Sequence, residues 1–188
     1  YKIYLKIWEY PKPGKKYYFG VDTSEGLGGN HDYCVIEVLD IEGFQCAEFR
    51  SNKLKPYAFT EILYELALYY NKGLLCIERA SAGQTVIEKI KENYRYYNLM
   101  KYKSFDSKGK RISKWGWETS QISKPKMIND FVELFETGGI CVNSKDLLNE
   151  MKLFQSVNGK LCAAAGHDDT VIAMALAIIA MLNKWHYA

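Results

Sequence analysis

The sequence predicts an α/β fold, a mixed β-sheet with helices on both faces, and two patterns carry this prediction. The first part of the chain contains β-rich runs joined by short turns, which is typical of an antiparallel meander. The rest alternates between segments with the apolar spacing of one helix face and short apolar runs of strand length. Antiparallel strands followed by alternating helices and strands make a mixed sheet covered on both sides.

The predicted meander begins near the N-terminus. A β-rich run at Tyr4 to Trp8 ends in a Pro- and Gly-containing turn before a second run at Tyr17 to Asp22, and we expect these two strands to pair. Glycine-containing turns then separate Tyr33 to Leu39 from its neighbours, and Phe44 to Phe49 follows. Sequential strands with such short connections form antiparallel neighbours.

The helices and strands of the second part follow from apolar spacing and from Gly, Asn and Pro stop signals. Helices are predicted after Pro56, around Val86 to Ile90, at Lys126 to Glu136, from Ser144 to a break at Asn158 and Gly159, and from Asp168 or Asp169 to about Lys184. Strands are predicted at Leu74 to Ile77 in the centre of the sheet, at Asn98 to Tyr102, and at Ile140 to Val142. The polar, basic and aromatic segment at about 104–123 is expected to form an extended loop or hairpin.

Composition limits the classes of protein that fit. The 188 residues, of which 48% are hydrophobic, suit a single domain over 1–188. A formal net charge of only +3 means that any nucleic-acid surface must be a local patch. The five cysteines are scattered without a C-x-x-C pair, which argues against zinc clusters or a disulfide framework. The longest apolar run, from Val171 to Leu182, is 12 residues long, shorter than the roughly 20 that a membrane span requires.

Acidic residues stand at the ends of predicted elements. Asp22 ends the second strand, Glu78 follows the buried run Leu74 to Ile77, and Asp168 with Asp169 begins the last helix. Strand-end residues of an α/β sheet converge at one edge, where ligands bind. Two bare carboxylates about 4 Å apart repel by roughly 4 kcal/mol at an effective dielectric near 20. The cluster therefore predicts divalent cations as partners.

Carboxylate oxygens without nearby cysteine or paired histidine favour Mg²⁺ or Mn²⁺ over zinc. Two such ions about 4 Å apart can activate a water and stabilise the leaving oxygen of a phosphodiester. Taken singly, Asp22 is also consistent with a turn and the Asp168 and Asp169 pair with a helix cap. Glu78 is harder to explain structurally, because a buried acid needs a partner. The three positions together favour a metal site.

The same residues resemble the nuclease domain of bacteriophage large terminase subunits. The shared motifs are Asp-x-Ser-x-Gly at Asp22, Ser24 and Gly26, an acid-ended strand at Glu78 followed by Gly83, and Gly-His-Asp-Asp at 166–169 before an Ala-rich helix. The segment Ser123 to Ile128 also resembles the family. The family often has Asn two residues after the second acid, where this chain has Ala80.

The resemblance implies a ribonuclease H-like fold and metal ligands at Asp22, Glu78 and one or both of Asp168 and Asp169, with Asp168 ranked first. It also implies a two-metal endonuclease that hydrolyses double-stranded viral DNA to generate genome ends during packaging, in the cytoplasm of the infected host. The resemblance further implies a packaging ATPase domain in the same full-length chain, which agrees with Tyr1 as the sign of a fragment and with the absence here of a phosphate-binding loop. The portal and the small terminase subunit are the expected partners.

Several other residues are candidates for binding or catalysis. Basic residues beside aromatics suit contacts with a nucleic-acid backbone and stacking, which selects Lys108, Lys110, Arg111, Lys114, Trp115 and Trp117 as DNA-binding candidates. The alternative is a solvated loop whose tryptophans pack on the domain. His167 is a candidate for orienting a carboxylate or a water, although a lone histidine at a helix entry is often structural. Arg79 and Lys124 are candidates for contact with the scissile phosphate, and simple solvation is their alternative.

Three other functions fit parts of these data. A junction resolvase, a transposase or a ribonuclease H shares the carboxylate chemistry and differs in substrate. An actin-like or sugar-kinase nucleotide-binding lobe also places Asp-Thr-Ser-x-Gly after a strand, but it needs a second lobe. A non-catalytic DNA-docking module is the third, and its acids would repel phosphate unless a metal were bound.

Overall fold

The computed structural model describes residues 4–26, 28–29, 32–80, 82–105, 108–157, 160–164 and 166–183. In chain order its strands and helices are β1 (Leu5–Ile7), β2 (Tyr17–Asp22), β3 (Cys34–Asp40), β4 (Gln45–Ser51), α1 (Pro56–Tyr69), β5 (Leu74–Ile77), α2 (Gly83–Glu92), β6 (Lys101–Phe105), β7 (Arg111–Trp115), α3 (Ser123–Glu136), α4 (Lys145–Leu153), β8 (Phe154–Val157), β9 (Lys160–Ala163) and α5 (Asp169–Asn183). No helix among these residues is both long enough and apolar enough to span a membrane.

A five-stranded mixed sheet in the order β1-β4-β3-β2-β5 forms the centre of the fold. Strands β2, β3 and β4 make the predicted antiparallel meander. Strand β5 runs parallel to β2, with Tyr18 opposite Leu74 and Val21 opposite Ile77. Because the two strands share a direction and a register, the residues that follow them, Asp22 and Glu78, lie at the same edge of the sheet.

Helices cover both faces of the sheet, as predicted. Odd-numbered β2 residues such as Phe19 pack in one core with α1 and α2, and Tyr18 packs in a second core with α3 and α5. This alternation follows from the two-residue repeat of a strand. By the same repeat, Asp22 belongs to the α5 side of the sheet.

Helix α5 lies unusually close to β2 because Gly20 has no side chain. A Cβ atom at Gly20 would lie 1.8 Å from the carbonyl oxygen of Ala173 and 2.3 Å from the amide nitrogen of Ala177. The small side chains of α5 thus let its backbone rest directly on the strand. The contact fixes how far the first turn of α5, with Asp169, stands from the end of β2.

Three details of the predicted fold were wrong. Strand β1 pairs with β4 and not with β2, with Ile7 opposite Ala47, because sequence adjacency does not determine pairing partners for so short a strand. Strand β5 is the last full strand of the sheet rather than a central one, although single bridges at Leu99 and Trp117 cover its outer side.

The third error concerns the region after α3. The expected strand at Ile140 to Val142 is reduced to one bridge between Cys141 and Phe44. The helix from Ser144 ends at Leu153, and an unpredicted hairpin of β8 and β9 follows. The predicted helix was too long because Phe154 continues its apolar stripe although this residue already belongs to a strand. The predicted break at Asn158 and Gly159 lies outside the described residues.

Two helices end in residues with a left-handed backbone. Lys72 after α1 has a φ of 55° and Arg95 after α2 has a φ of 54°. Glycine is the usual residue for this conformation, and a side chain there costs about 1–2 kcal/mol. A cation near a helix C-terminus regains only about 0.3–1 kcal/mol from the helix dipole. Fold stability alone does not favour lysine and arginine at these two positions.

The close packing of α5 on β2 can be tested with Gly20→Ala. The added methyl group overlaps backbone atoms of α5, so we expect the free energy of unfolding to fall by about 3 kcal/mol or more in urea titrations. Gly109→Ala is the control, because Gly109 has a φ of 76° and nothing within 4 Å of the added Cβ, so its cost is backbone strain of about 1–2 kcal/mol. An equal loss in the free energy of unfolding for the two variants would contradict the close packing of α5 on β2.

Candidate active site

A cavity of about 220 Å³ opens at the carboxyl edge of β2 and β5. Its lining is dominated by acids, and the full set is Asp22, Thr23, Asp32, Glu78, Ala80, Thr119, Lys124, Asp168, Asp169 and Ile172. The four acids singled out in the sequence therefore meet in one place. Asp32 joins them without having been predicted.

The carboxyl groups of Asp22 and Glu78 face each other at the ends of the paired strands. The backbone N–H of Glu78 donates to the carbonyl oxygen of Val21 over 2.9 Å, which continues the ladder up to the acids. Asp22 Oδ1 accepts a hydrogen bond from the N–H of Thr23 at 2.8 Å. Burial raises the pKa of Asp22 well above its usual range, and the negative charges of Glu78 and Asp169 raise it further.

Gly83 is the glycine that follows the second acid in the sequence motif, and its surroundings show why a glycine is required there. A Cβ atom there would lie 1.7 Å from the carbonyl oxygen of Glu78. The start of α2 can approach the end of β5 this closely only at a glycine. Ala80, which stands where the resembling family often has Asn, lines the cavity with a methyl group and so offers no polar side-chain contact.

The two neighbouring acids at the start of α5 have different surroundings. Asp169 is buried, and its Oδ2 accepts a hydrogen bond from the N–H of Tyr33 at 2.9 Å. Burial is the main cause that raises the pKa of Asp169 to about 6. Asp168 is more exposed, and its Oδ2 lies 3.3 Å from Lys124 Nζ.

Asp32 and His167 extend the acidic cluster on the side of Asp169. His167 Nδ1 lies 3.5 Å from Asp32 Oδ1 and 3.6 Å from Asp169 Oδ2, and the three ligand atoms lie within 4.8 Å of one another. A signal for Asp32 was present in the sequence. It precedes β3, and the start of a strand antiparallel to β2 must lie where β2 ends.

The donor set fits hard divalent cations. Five carboxylates line the cavity against one cationic side chain, Lys124, among the described residues. Burial is the main cause that raises the pKa values of Asp22 and Asp169, and nearby carboxylates raise them further, so a bound cation would favour their ionised forms. Oxygen donors in this number suit Mg²⁺ or Mn²⁺, and the His167 nitrogen can also serve softer ions.

Of the predicted supporting residues, Lys124 lines the cavity and His167 borders it. Arg79 does not point into the cavity, because its guanidinium donates to the carbonyl oxygen of Trp115 at 2.5 Å. Its backbone N–H donates to the carbonyl oxygen of Trp117 at 2.8 Å. Arg79 thus ties the base of the β6–β7 hairpin to the strand that carries Glu78.

The basic and aromatic segment forms the hairpin of β6 and β7, in which Phe105 pairs with Arg111. The cations at and after its tip, Lys108, Lys110 and Arg111, are exposed. Lys114 lies 3.7 Å from Glu118. Trp115 and Trp117 are partly buried and pack against the two cores, which matches the alternative that the tryptophans rest on the domain.

Glu150 of α4 fixes the first turn of α5 next to the acids. It is only 7% exposed, and its Oε2 accepts hydrogen bonds from the N–H of Thr170 at 2.9 Å and from its hydroxyl at 2.5 Å. Its Oε1 accepts from Arg50 at 2.8 Å, and the Arg50 guanidinium lies 3.9 Å from the ring centre of Tyr33. Asp169 is therefore held from two sides, through Tyr33 and through Thr170.

The sheet is mixed, and carboxylates gather at the end of β2, at the end of β5 and at the start of the last helix. This combination defines a ribonuclease H-like domain of the metal-dependent nuclease type. The comparison with known families agrees. Residues 19–181 match the family model described as the terminase RNaseH-like domain, and the chain belongs to this family. The resemblance and the ribonuclease H-like fold predicted from the sequence are thereby confirmed.

Solved structures of similar fold come from phages. The large terminase nuclease from thermophilic phage G20c with bound magnesium aligns with a TM-score of 0.72 at 23% identity, covering 93% of this chain and 86% of that one. The same protein with bound zinc gives 0.68 at 24% identity over 92% and 85% of the two chains. The Thermus phage P74-26 large terminase nuclease domain gives 0.67 at 23% identity over 92% and 83%. These likenesses show a shared fold.

Charge crowding at the site can be measured through stability. Because the pKa of Asp169 rises from 3.8 to about 6 on folding, the folded chain binds more protons between these values, and stability falls as the pH rises through this window. We expect Asp169→Asn to raise the free energy of unfolding of the metal-free protein near neutral pH by about 2–3 kcal/mol. Added Mg²⁺ should raise the Tm of the unaltered protein by more than that of the variant, which keeps the acids Asp22 and Glu78.

Asp146→Asn is the control for this measurement. A hydrogen bond from Lys6 is the main cause that lowers the pKa of Asp146, so removing that charge should not stabilise the protein. A destabilised Asp169→Asn variant would show that the carboxylate is compensated within the chain.

The role of Glu150 can be tested through metal affinity. The amide of Glu150→Gln cannot accept from both Thr170 and Arg50, so Asp169 should lose its fixed position, and Mn²⁺ affinity measured by calorimetry should fall about tenfold or more. Asp146→Asn on the same helix should leave the affinity unchanged. A lower Tm together with unchanged Mn²⁺ affinity would limit Glu150 to a structural role.

Proposed function

We propose that this domain is a metal-dependent endonuclease that hydrolyses double-stranded phage DNA to generate genome ends during packaging. The observation that carries the proposal is the meeting of five carboxylates and one lysine at the sheet edge of a chain from the terminase RNaseH-like family. Acids so placed would repel DNA phosphates unless cations were bound between them. The same cations supply the chemistry that hydrolysis requires.

The acids form two groups that suit two ions. Asp22 and Glu78 make the first group, and Asp169 with Asp32 and His167 makes the second, with Asp168 at the mouth of the cavity. A bound divalent ion would polarise the phosphate and lower the pKa of a water. Mg²⁺ or Mn²⁺ is the proposed cofactor; the G20c nuclease structures hold magnesium, cobalt or zinc.

The chain's own residues orient the substrate and hold the acids. Lys124 has a partly exposed ammonium group at the mouth of the cavity, where it can bind the backbone phosphate that is cut. Tyr33 and Glu150 keep the start of α5 in place. His167 Nδ1 lies within 3.6 Å of a carboxylate oxygen of Asp32 and of Asp169, so it can hold the two acids in one cluster.

The β6–β7 hairpin is the proposed additional contact with DNA. Lys108, Lys110 and Arg111 are exposed on an arm whose base is bonded to the residues next to Glu78. Cations on such an arm bind backbone phosphates without regard to sequence. Stacking by Trp115 and Trp117 has less support, because both indoles are packed against the domain.

The other candidate functions are less well supported. A resolvase, a transposase or a ribonuclease H shares the chemistry, but the family match favours a terminase. An actin-like lobe or a non-catalytic docking module would not need five carboxylates in one cavity. The packaging role extends this proposal to the protein's surroundings. It includes an ATPase domain in the full-length chain, contacts with the portal and the small terminase subunit, and a location in the cytoplasm of the infected host.

The nuclease proposal is tested by digestion of supercoiled plasmid with Mg²⁺ or Mn²⁺ and with a chelator. We expect nicking and linearisation only with metal, and a loss of about 100-fold or more in rate for Asp22→Asn, Glu78→Gln and Asp168→Asn. Asp146→Asn, which removes an acid remote from the cavity, should cut normally.

Substrate choice is resolved in parallel with duplex DNA, an RNA–DNA hybrid and a four-way junction. Preference for the hybrid or the junction would replace the terminase assignment by another ribonuclease H-like activity. Equal cutting by the unaltered protein and all three acid variants would contradict the proposed site itself.

A further inference from the structure

A second cavity lies at the opposite end of the sheet and differs from the acidic site in volume and in charge. Its volume is about 700 Å³, compared with about 220 Å³ for the acidic cavity. It lies where β2 and β5 begin and where α1 and α2 end, and Tyr17 and Gly73 line it. We call it the basal groove and define it by Lys16, Lys72 and Arg95 at its border.

The charge of the basal groove is positive. Its lining contains Lys15, Lys16, Lys72 and Arg95 and, among the residues that the structure describes, no carboxylate. Lys15 is compensated, because its Nζ lies 2.6 Å from Asp40 Oδ2 and near two glutamates. The other three cations are exposed and form no ion pair within the described ranges.

Acidic side chains do occur close to the basal groove. Glu61 and Glu65 of α1 stand near Tyr94 and contribute to its raised pKa, although burial is the main cause. Both glutamates lie outside the lining of the groove. The positive charge of the groove interior is therefore not cancelled by its own walls.

Two of the three uncompensated cations occupy positions that disfavour them. Lys72 follows the end of α1 and Arg95 follows the end of α2, each three residues beyond the last helical residue, and both have the left-handed backbone that glycine adopts more easily. Two separate helix ends thus hold a cationic side chain at the border of one groove, against local conformational preference. Hydrogen bonds from the N–H of Gly73 to Ala67 and from the N–H of Tyr96 to Ile90 account for the left-handed backbone, but not for a cation at both positions. A shared ligand accounts for the two cations.

The walls of the basal groove supply apolar surface as well. Tyr64 and Tyr94 stack with ring centres 4.5 Å apart, and both line the groove. Leu68 is 40% exposed and Tyr97 is 48% exposed at the same place. Exposed aromatic and aliphatic surface between cations fits a ligand that alternates acidic and apolar groups.

We propose that the basal groove binds an extended acidic segment of a partner protein, whose carboxylates contact Lys16, Lys72 and Arg95. A volume of this size suits a small ligand or a few residues of peptide. The groove lies apart from the catalytic edge, because the six residues of β2 separate the two ends by about 16–20 Å. The groove therefore serves docking and leaves the cutting edge free.

Fluorescence anisotropy with a short labelled peptide of alternating glutamate and leucine tests the proposal. We expect saturable binding of this peptide by the unaltered protein, and no competition for the groove by a lysine–leucine peptide. Lys72→Gly combined with Arg95→Gly should weaken binding of the acidic peptide about tenfold or more. Because glycine relieves the left-handed backbone at both positions, this variant should fold at least as stably, and a melting curve checks that it does.

The control variant removes the same charge elsewhere. Lys53→Ala with Lys55→Ala takes away two exposed cations before the first turn of α1, at the far end of that helix from the groove, and should bind the peptide normally. Plasmid cutting by the glycine variant should be unchanged. Equal loss of peptide binding in both variants would overturn the proposal, and so would loss of duplex DNA binding by the glycine variant with peptide binding intact.

Discussion

The contact between the backbone of α5 and β2 at Gly20 is the constraint on which the acidic site depends. It brings the helix close enough for Asp169 to raise the pKa of Asp22 through its charge. The parallel pairing of β2 with β5 adds Glu78 from the other side. A side chain at Gly20 would move the start of α5, with Asp169, away from Asp22 and Glu78.

The crowding of acids that results is unfavourable for the folded chain alone. Carboxylates removed from water and placed beside like charges have raised pKa values, so the metal-free site opposes folding near neutral pH. The surrounding fold holds the acids against this repulsion through Glu150, Tyr33 and Lys124. The metal-free protein is therefore less stable, but its site is organised before cations bind.

The two ends of the sheet carry opposite charge. Five carboxylates meet where β2 and β5 end, and the basal groove at their beginnings has cations without carboxylates among the lining residues described. The net charge of +3 conceals this separation, because the two ends nearly cancel in the sum. A domain arranged in this way can bind cations with DNA at one end and an acidic partner at the other.

Much of the fold and of the candidate site was predictable because local signals determine it. Alternation of apolar residues located β2, β3 and β4, helical spacing located α1 and α5, and the positions of Asp22 and Glu78 after buried runs indicated a common edge. The motif resemblance pointed to the same family as the comparison.

Contacts between residues distant in sequence decided the rest. Packing that no local pattern encodes decides the pairing of β1 with β4, the hairpin of β8 and β9 and the turning of Arg79 toward Trp115. The sequence by itself determined which elements form and which acids end them. Only the tertiary structure determined how close those acids come, because separation depends on how near one backbone can approach another.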